Sequence, residues 1–196
     1  MRPGRQEGFS LVDIMAAILV IGLVSAMALP ATGSSLAAHR FRGDAQAVSN
    51  LVALAKMRAA ARFSRARLFV DLAANSYSMQ TWEKDDASWV TDGGVMRLSS
   101  GVAFGFGGLT APPPNTQAAI AQSAPCTDDL GTVIANTTCI IFNSRGIPVD
   151  PTGSPTGGNA VYLAGDTGVY AVTVTATPLI RLWWSPRPTA AWVEQQ

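Results

Sequence analysis

The 196-residue sequence predicts an α+β chain. In it a long N-terminal α-helix, half membrane-like and half amphipathic, packs on a C-terminal antiparallel β-sheet or small β-sandwich. Three observations predict this. Residues 9–29 are apolar with one ionisable side chain, and the stretch behind them has helical spacing of its apolar residues. From residue 67 onward, short runs of β-forming residues alternate with turns that contain Gly or Pro. Composition narrows the function. A hydrophobic fraction of 48% excludes a wholly disordered chain, and 14% charged residues is low for a soluble protein. A net charge of +1 argues against a general polyanion binder. One histidine and two cysteines leave little material for a metal cluster or a histidine-based catalytic site, so neither an enzyme nor a cofactor or metal is expected.

The apolar run is FSLVDIMAAILVIGLVSAMAL, with 11 residues of the Leu, Ile, Val or Phe type and Asp13 as the one ionisable group. As a helix it would span about 31 Å, which suits a bilayer core. Its eleven branched or aromatic residues favour insertion by about 3–7 kcal/mol, whereas a central Asp costs about 2.5–3.5 kcal/mol and Asp13 lies near one end. Insertion is therefore favoured. Arg2 and Arg5 on the short flank favour keeping that flank cytoplasmic, although Arg40 and Arg42 lie on the other side. Ala26-Met27-Ala28 offers the alternative of a secretory signal peptide, but Asp13 would interrupt the uncharged stretch that such peptides keep.

Beyond Pro30, Ser34 or Ser35 can cap a helical stretch rich in Ala and Leu. Phe41, Ala45, Val48, Val52, Ala55 and Ala59 form one stripe, which Leu51 and Leu54 would widen. Strands are expected in RLFVDLA, NSYSMQTW, VMRLSSGVAFGF, CIIFNS, IPVD, NAVYLA, VYAVTVTA and LIRLWW, with a long loop over 107–136. The expected divisions are residues 1–8, a membrane helix over 9–30, an amphipathic helix over 31–66 and a β-rich head over 67–196. A sheet leaning on the amphipathic helix is the economical arrangement.

Gly8-Phe9-Ser10-Leu11-Val12-Asp13 resembles the processing site of type IV prepilins and type II secretion pseudopilins. The resemblance implies that residues 1–8 are a leader, which prepilin peptidase cuts between Gly8 and Phe9 before N-methylating Phe9. It implies that Asp13, where Glu is usual, pairs with the new amine during assembly. It also implies that Gly22 and Pro30 weaken the helix and permit local melting in the filament. The implied partners are other pilins or pseudopilins, an inner-membrane assembly platform and the membrane itself. The chain would be a single-pass inner-membrane protein with a periplasmic head, later part of a periplasmic pseudopilus or a cell-surface pilus. An intramembrane acid independently suggests function, since it is costly without a partner.

A second resemblance, over about residues 139–184, is to the GspH/FimT subgroup, carried by Ile140-Ile141-Phe142-Asn143-Ser144-Arg145-Gly146, Asn159–Leu163 and Tyr170–Thr175. Some FimT-like members bind DNA through a basic Gly-Arg-x-Arg element. Here Ile180-Arg181-Leu182-Trp183 has one arginine and no glycine, so this element is missing. The resemblance thus implies a GspH-like minor pseudopilin or minor pilin acting in filament assembly and secretion. A DNA-binding minor pilin is the alternative.

Charge is uneven: residues 40–67 carry seven basic side chains and Asp44, whereas residues from 68 onward carry five basic and ten acidic ones. Arg58, Arg62 and Arg65, read as one helical face, could contact sister subunits or grip phosphates; a solvated face is the plainer reading. Because the resemblance places the head outside the cytoplasm, Cys126 and Cys139 can form a disulfide, worth about 3 kcal/mol in the chain-entropy view. Two reduced thiols are the alternative. His39 reads as a surface residue, Gly105–Gly108 lacks a phosphate-loop setting, and Asp85-Asp86 and Asp128-Asp129 read as acidic turns. Trp183, Trp184 and Trp192 read as core or interface aromatics.

Overall fold

The computed structural model describes residues 10–187 and 191–195, with side chains described except at 24–34. The expected leader, Gly8 and Phe9 lie outside the described residues, as does the side chain of Pro30. The chain divides into two compact units, Met1–His39 and Arg40–Gln196, and the range of helix α1 (Leu11–Ala61) includes residues of both.

In the first unit α1 begins behind Ser10, and its apolar side chains are exposed: Leu11, Val12, Ile18, Leu19 and Ile21 are each at least 64% accessible. Ser34 and Ser35, expected to start a helix, fall inside α1 instead, because the Ala-rich sequence on both sides sustains the helix. Among the described residues no helix is long and apolar enough to cross a membrane. The span expected at 9–30 overlaps residues outside that description.

In the second unit α1 buries Phe41, Ala45, Val48, Val52, Ala55 and Ala59, the six residues of the expected stripe. Leu51 flanks it, half-buried, but Leu54 is exposed, since it lies about 140° round the helix from the stripe's centre. The helix stops at Ala61, short of residue 66. Phe63 adopts φ 48°, and the Ser64 N–H reaches back to the Ala59 carbonyl at 3.1 Å, which satisfies an end carbonyl and turns the chain.

The strands are β1 (Ala66–Asp71), β2 (Ser76–Glu83), β3 (Ser88–Thr91), β4 (Met96–Arg97), β5 (Ala103–Phe104), β6 (Thr137–Phe142), β7 (Pro148–Val149), β8 (Asn159–Ala164), β9 (Gly168–Val174), β10 (Ile180–Pro186) and β11 (Val193–Gln195). They form two antiparallel sheets, ordered β3-β2-β1-β6-β7 with β4 also on β2, and β11-β10-β9-β8-β5. Strand alternation sends Leu68, Val70, Tyr77, Met79, Ile140 and Phe142 of the first sheet to the helix stripe, together with Val161, Leu163, Tyr170 and Val172 of the second. Three of the six stripe residues are alanines. At Gly165 a Cβ would crowd the Phe41 ring at 2.9 Å.

The other face of the second sheet is covered as well. Tyr162, Val169, Ala171 and Trp183 pack under Leu109, Phe106 and Trp192, which is why all of β9 is buried. The 107–136 segment is a loop with one isolated bridge, Thr127 to Val133. It joins the two sheets: the Ser123 N–H donates to the Ala160 carbonyl of β8 at 2.8 Å, and the Cys139 N–H of β6 donates to the Ala124 carbonyl at 2.9 Å. The Tyr162 hydroxyl donates to Gln117 Oε1 at 2.6 Å. All buried side chains among the described residues lie between Phe41 and Ser185, so the core of the second unit is complete within that unit.

Candidate functional site

The start of α1 is built by Ser10 and Asp13. Ser10 is the N-cap: its Oγ accepts from the Val12 N–H at 3.3 Å, and its carbonyl accepts from the Asp13 and Ile14 N–H groups. Asp13, three residues on, turns its carboxylate back so that Oδ2 accepts from the Ser10 backbone N–H at 3.2 Å. This is the reciprocal capping of a Ser-x-x-Asp pattern, and it places a negative charge at the positive end of the helix. The pattern is legible in Ser10-Leu11-Val12-Asp13. Gly22 lies inside α1 with open space where a Cβ would be.

The basic residues between Arg58 and Arg67 do not form the single helical face expected. Arg58 and Arg62 lie at the end of α1 and its following turn, but Arg65 lies beyond the helix, just before β1. The cause is the early stop at Ala61, which turns the chain into β1. Arg58 Nε lies 2.8 Å from Asp92 Oδ2, and Arg62 Nη1 lies 2.9 Å from Glu83 Oε1. Arg65 stacks its guanidinium 4.4 Å from the Trp82 ring centre. Arg67, only 2% exposed, lies 3.9 Å over Trp89 and donates to Gln80 Oε1 and to the Thr127 carbonyl, both at 2.8 Å. Trp82 and Trp89 are direct cross-strand partners whose ring centres are 5.3 Å apart at 71°.

The result is a row on one face of the first sheet: Arg65, Trp82, Trp89, Arg67. Burial is the main reason that the Arg67 guanidinium is pushed down to about 10; Asp129 opposes this shift and Arg65 adds to it. Desolvation likewise lowers Arg65. Arg67 shares its charge with π faces and a carbonyl rather than with solvent, which suits a clamp more than a phosphate grip. Among these residues, Arg67, Trp82 and Trp89 were not singled out by sequence. Only the alternation of β1 and β2 hints at them.

Cys126 and Cys139 are joined by a disulfide with a Cα–Cα distance of 5.0 Å. Both are buried with Ile141 and Val149. The bridge, the Arg67 bond to Thr127 and a 2.8 Å bond from the Trp89 N–H to Asp129 Oδ1 all fix residues 126–129 to the first sheet. Asp128 is a turn acid whose Oδ1 accepts from the Leu130 and Thr132 N–H groups. Trp183 is core, with its Nε1–H donating to Thr173 Oγ1 at 3.0 Å.

No protein-family model matches the sequence, and no match to it was found among the curated proteins. Solved structures do match. The chain is similar to two structures of the minor pseudopilin EpsH from the type II secretion system of Vibrio cholerae, at 12% and 14% identity and a TM-score of 0.46 for each. The matches cover 76% and 77% of this chain, and 98% and 97% of the EpsH chains.

Proposed function

We propose that the chain is an assembly subunit of a pilin-like filament, of the GspH-like minor type, serving a type II secretion pseudopilus or a type IV pilus. The observation that carries this reading is the capping acid Asp13 at the head of a helix whose described apolar side chains from Leu11 to Leu23 are exposed. Such a surface calls for cover by lipid or by sister helices, and an acid at its start calls for a cation.

In this reading the membrane holds residues 9–30 until the peptidase cuts after Gly8. The cut creates an α-amino group on Phe9 next to the helix start, where the Asp13 carboxylate already points back along the chain. Methylation leaves that amine cationic. Pairing with Asp13, in the same subunit or a neighbour, neutralises both charges as the helix moves from lipid into a helical bundle. Gly22 and Pro30 soften the helix for that packing. The head, anchored by the Phe41–Ala59 stripe, chooses neighbours. No catalytic step and no cofactor is needed. DNA uptake gains no comparable support, because Arg58 and Arg62 are already paired with Asp92 and Glu83.

The test is the mass and N-terminal sequence of the mature chain from cells with active prepilin peptidase. N-methyl-Phe9 is expected. Retention of Met1, or a start at Leu29, overturns the reading.

A further inference from the structure

The outer face of the first sheet has two unlike ends joined by the Arg65, Trp82, Trp89, Arg67 row. At one end is an open hollow of about 360 Å³ lined by Phe63, Ser64, Arg65, Trp82, Lys84 and Ser144, among others. Its lining carries two cations, Arg65 and Lys84, and no acid, and Phe63 is 75% exposed. The other end is the turn Thr127–Val133, which holds Leu130 out at 91% exposure between Asp128-Asp129 and Val133.

That turn is rigid for a loop tip. The Asp128 carboxylate accepts from the Leu130 and Thr132 N–H groups, and the Asp128 N–H donates to the Thr132 carbonyl at 2.8 Å. Gly131 supplies the left-handed φ of 86° that the turn requires. The base is fixed by the disulfide, by Arg67 on the Thr127 carbonyl and by Trp89 on Asp129. A large apolar side chain on a pre-ordered, acidic turn is built to be buried elsewhere, since little ordering entropy opposes its docking.

We propose that this face is a contact surface between two copies of the chain. In a two-fold pair each Leu130 turn enters the Phe63–Trp82 hollow of the other copy, with the acidic turn against the lining cations Arg65 and Lys84. The two ends lie on one face, so a single two-fold axis satisfies both contacts and closes the pair. Opposite charge fixes the register, and the leucine and the aromatic rings supply the apolar core of the contact. This inference does not depend on the filament reading.

The test uses the fragment 40–196, whose core is complete without the first unit, in sedimentation equilibrium from micromolar to millimolar concentration. A monomer–dimer equilibrium is expected, weakened by added salt. Leu130→Asp should raise the dimer Kd by about 100-fold or more while leaving circular dichroism, and Tm at concentrations where both forms are monomeric, unchanged, because the side chain is exposed in the single chain. A Leu130→Cys/Ser144→Cys variant should oxidise to a dimer linked between positions 130 and 144, as mass spectrometry of the linked peptides would read. A strict monomer at millimolar concentration, an association that Leu130→Asp leaves intact, or links joining only position 130 to position 130 would each overturn the proposal.

Discussion

Asp13 Oδ2 accepts a hydrogen bond from the backbone N–H of Ser10 at 3.2 Å, so the acid at the head of the apolar helix is also part of that helix's cap. In the assembly role proposed above, the same carboxylate would serve two states: capping its own helix before assembly, and meeting an amine afterwards. On the proposed assembly role, with cleavage between Gly8 and Phe9, Asp13→Ala should leave cleavage intact but abolish incorporation into filaments. Loss of the cap alone costs only about 0.5–2 kcal/mol. Ser10→Ala removes the weaker 3.3 Å bond to the Val12 N–H and should leave incorporation nearly normal. Immunoblots of sheared filament and membrane fractions would separate the two; equal loss in both variants would reduce Asp13 to a helix cap.

Paired arginines bear on nucleic acid. Arg58 and Asp92 are both partly exposed, so their ion pair should show a coupling of only about 0.2–1 kcal/mol in a double-mutant cycle of thermal stability. The larger consequence is for phosphates. The fragment 40–196 should retard DNA poorly at physiological salt, and Asp92→Asn with Glu83→Gln should increase retardation in a salt-sensitive way. Strong retardation by the unaltered fragment would point back to DNA uptake.

The helix stripe was legible in sequence because helical spacing of Phe41, Ala45, Val48, Val52, Ala55 and Ala59 needs no knowledge of the partner surface. Buried strands such as β6 and β9 were legible for a similar reason, as unbroken β-branched and aromatic runs. Residues 95–106, expected as one strand, instead form β4 and β5 around a turn at Ser99–Gly101, where the Asp44 carboxylate accepts from the Ser99 N–H at 2.9 Å. That anchor comes from the helix and cannot be read locally. Strand β3 has only four residues between acidic and glycine-rich turns, so its pairing with β2 supplies what its own composition lacks. At the site, Ser10-x-x-Asp13 is a local pattern. The Arg67 clamp depends on Thr127, 60 residues away, and no local pattern marks it.

The disulfide holds the loop against β6, and its removal should be felt by the whole second unit. Cys126→Ser/Cys139→Ser should cost about 3 kcal/mol, a fall in Tm of about 6–12 °C for a domain of this size. Thiol labelling of the unreduced, unfolded protein should find no reactive sulfur. Two labelled thiols with an unchanged Tm would mean that the loop is held by its hydrogen bonds without the bridge.

The three tyrosines give a pH signature whose sign can be worked out. Tyr77, Tyr162 and Tyr170 are all raised above 10.0, in each case mainly by burial; Asp44 adds to the shift at Tyr77, and Arg42 opposes it at Tyr170. The shift is large at Tyr162, whose hydroxyl is also committed as a donor to Gln117. A phenol whose pKa is raised on folding keeps its proton in the native state after the unfolded chain has lost it. Its stabilising contribution is therefore complete below about pH 10 and declines as the pH rises further. At pH near 10 the native protein should show little tyrosinate absorbance, whereas the denatured chain should be about half ionised. Tyr162→Phe should flatten the alkaline fall in stability by up to about one proton, despite a neutral-pH cost of about 1–3 kcal/mol from leaving Gln117 Oε1 without its donor. Native tyrosinate forming with the denatured profile would mean that the loop carrying Gln117 does not cover β8 in solution.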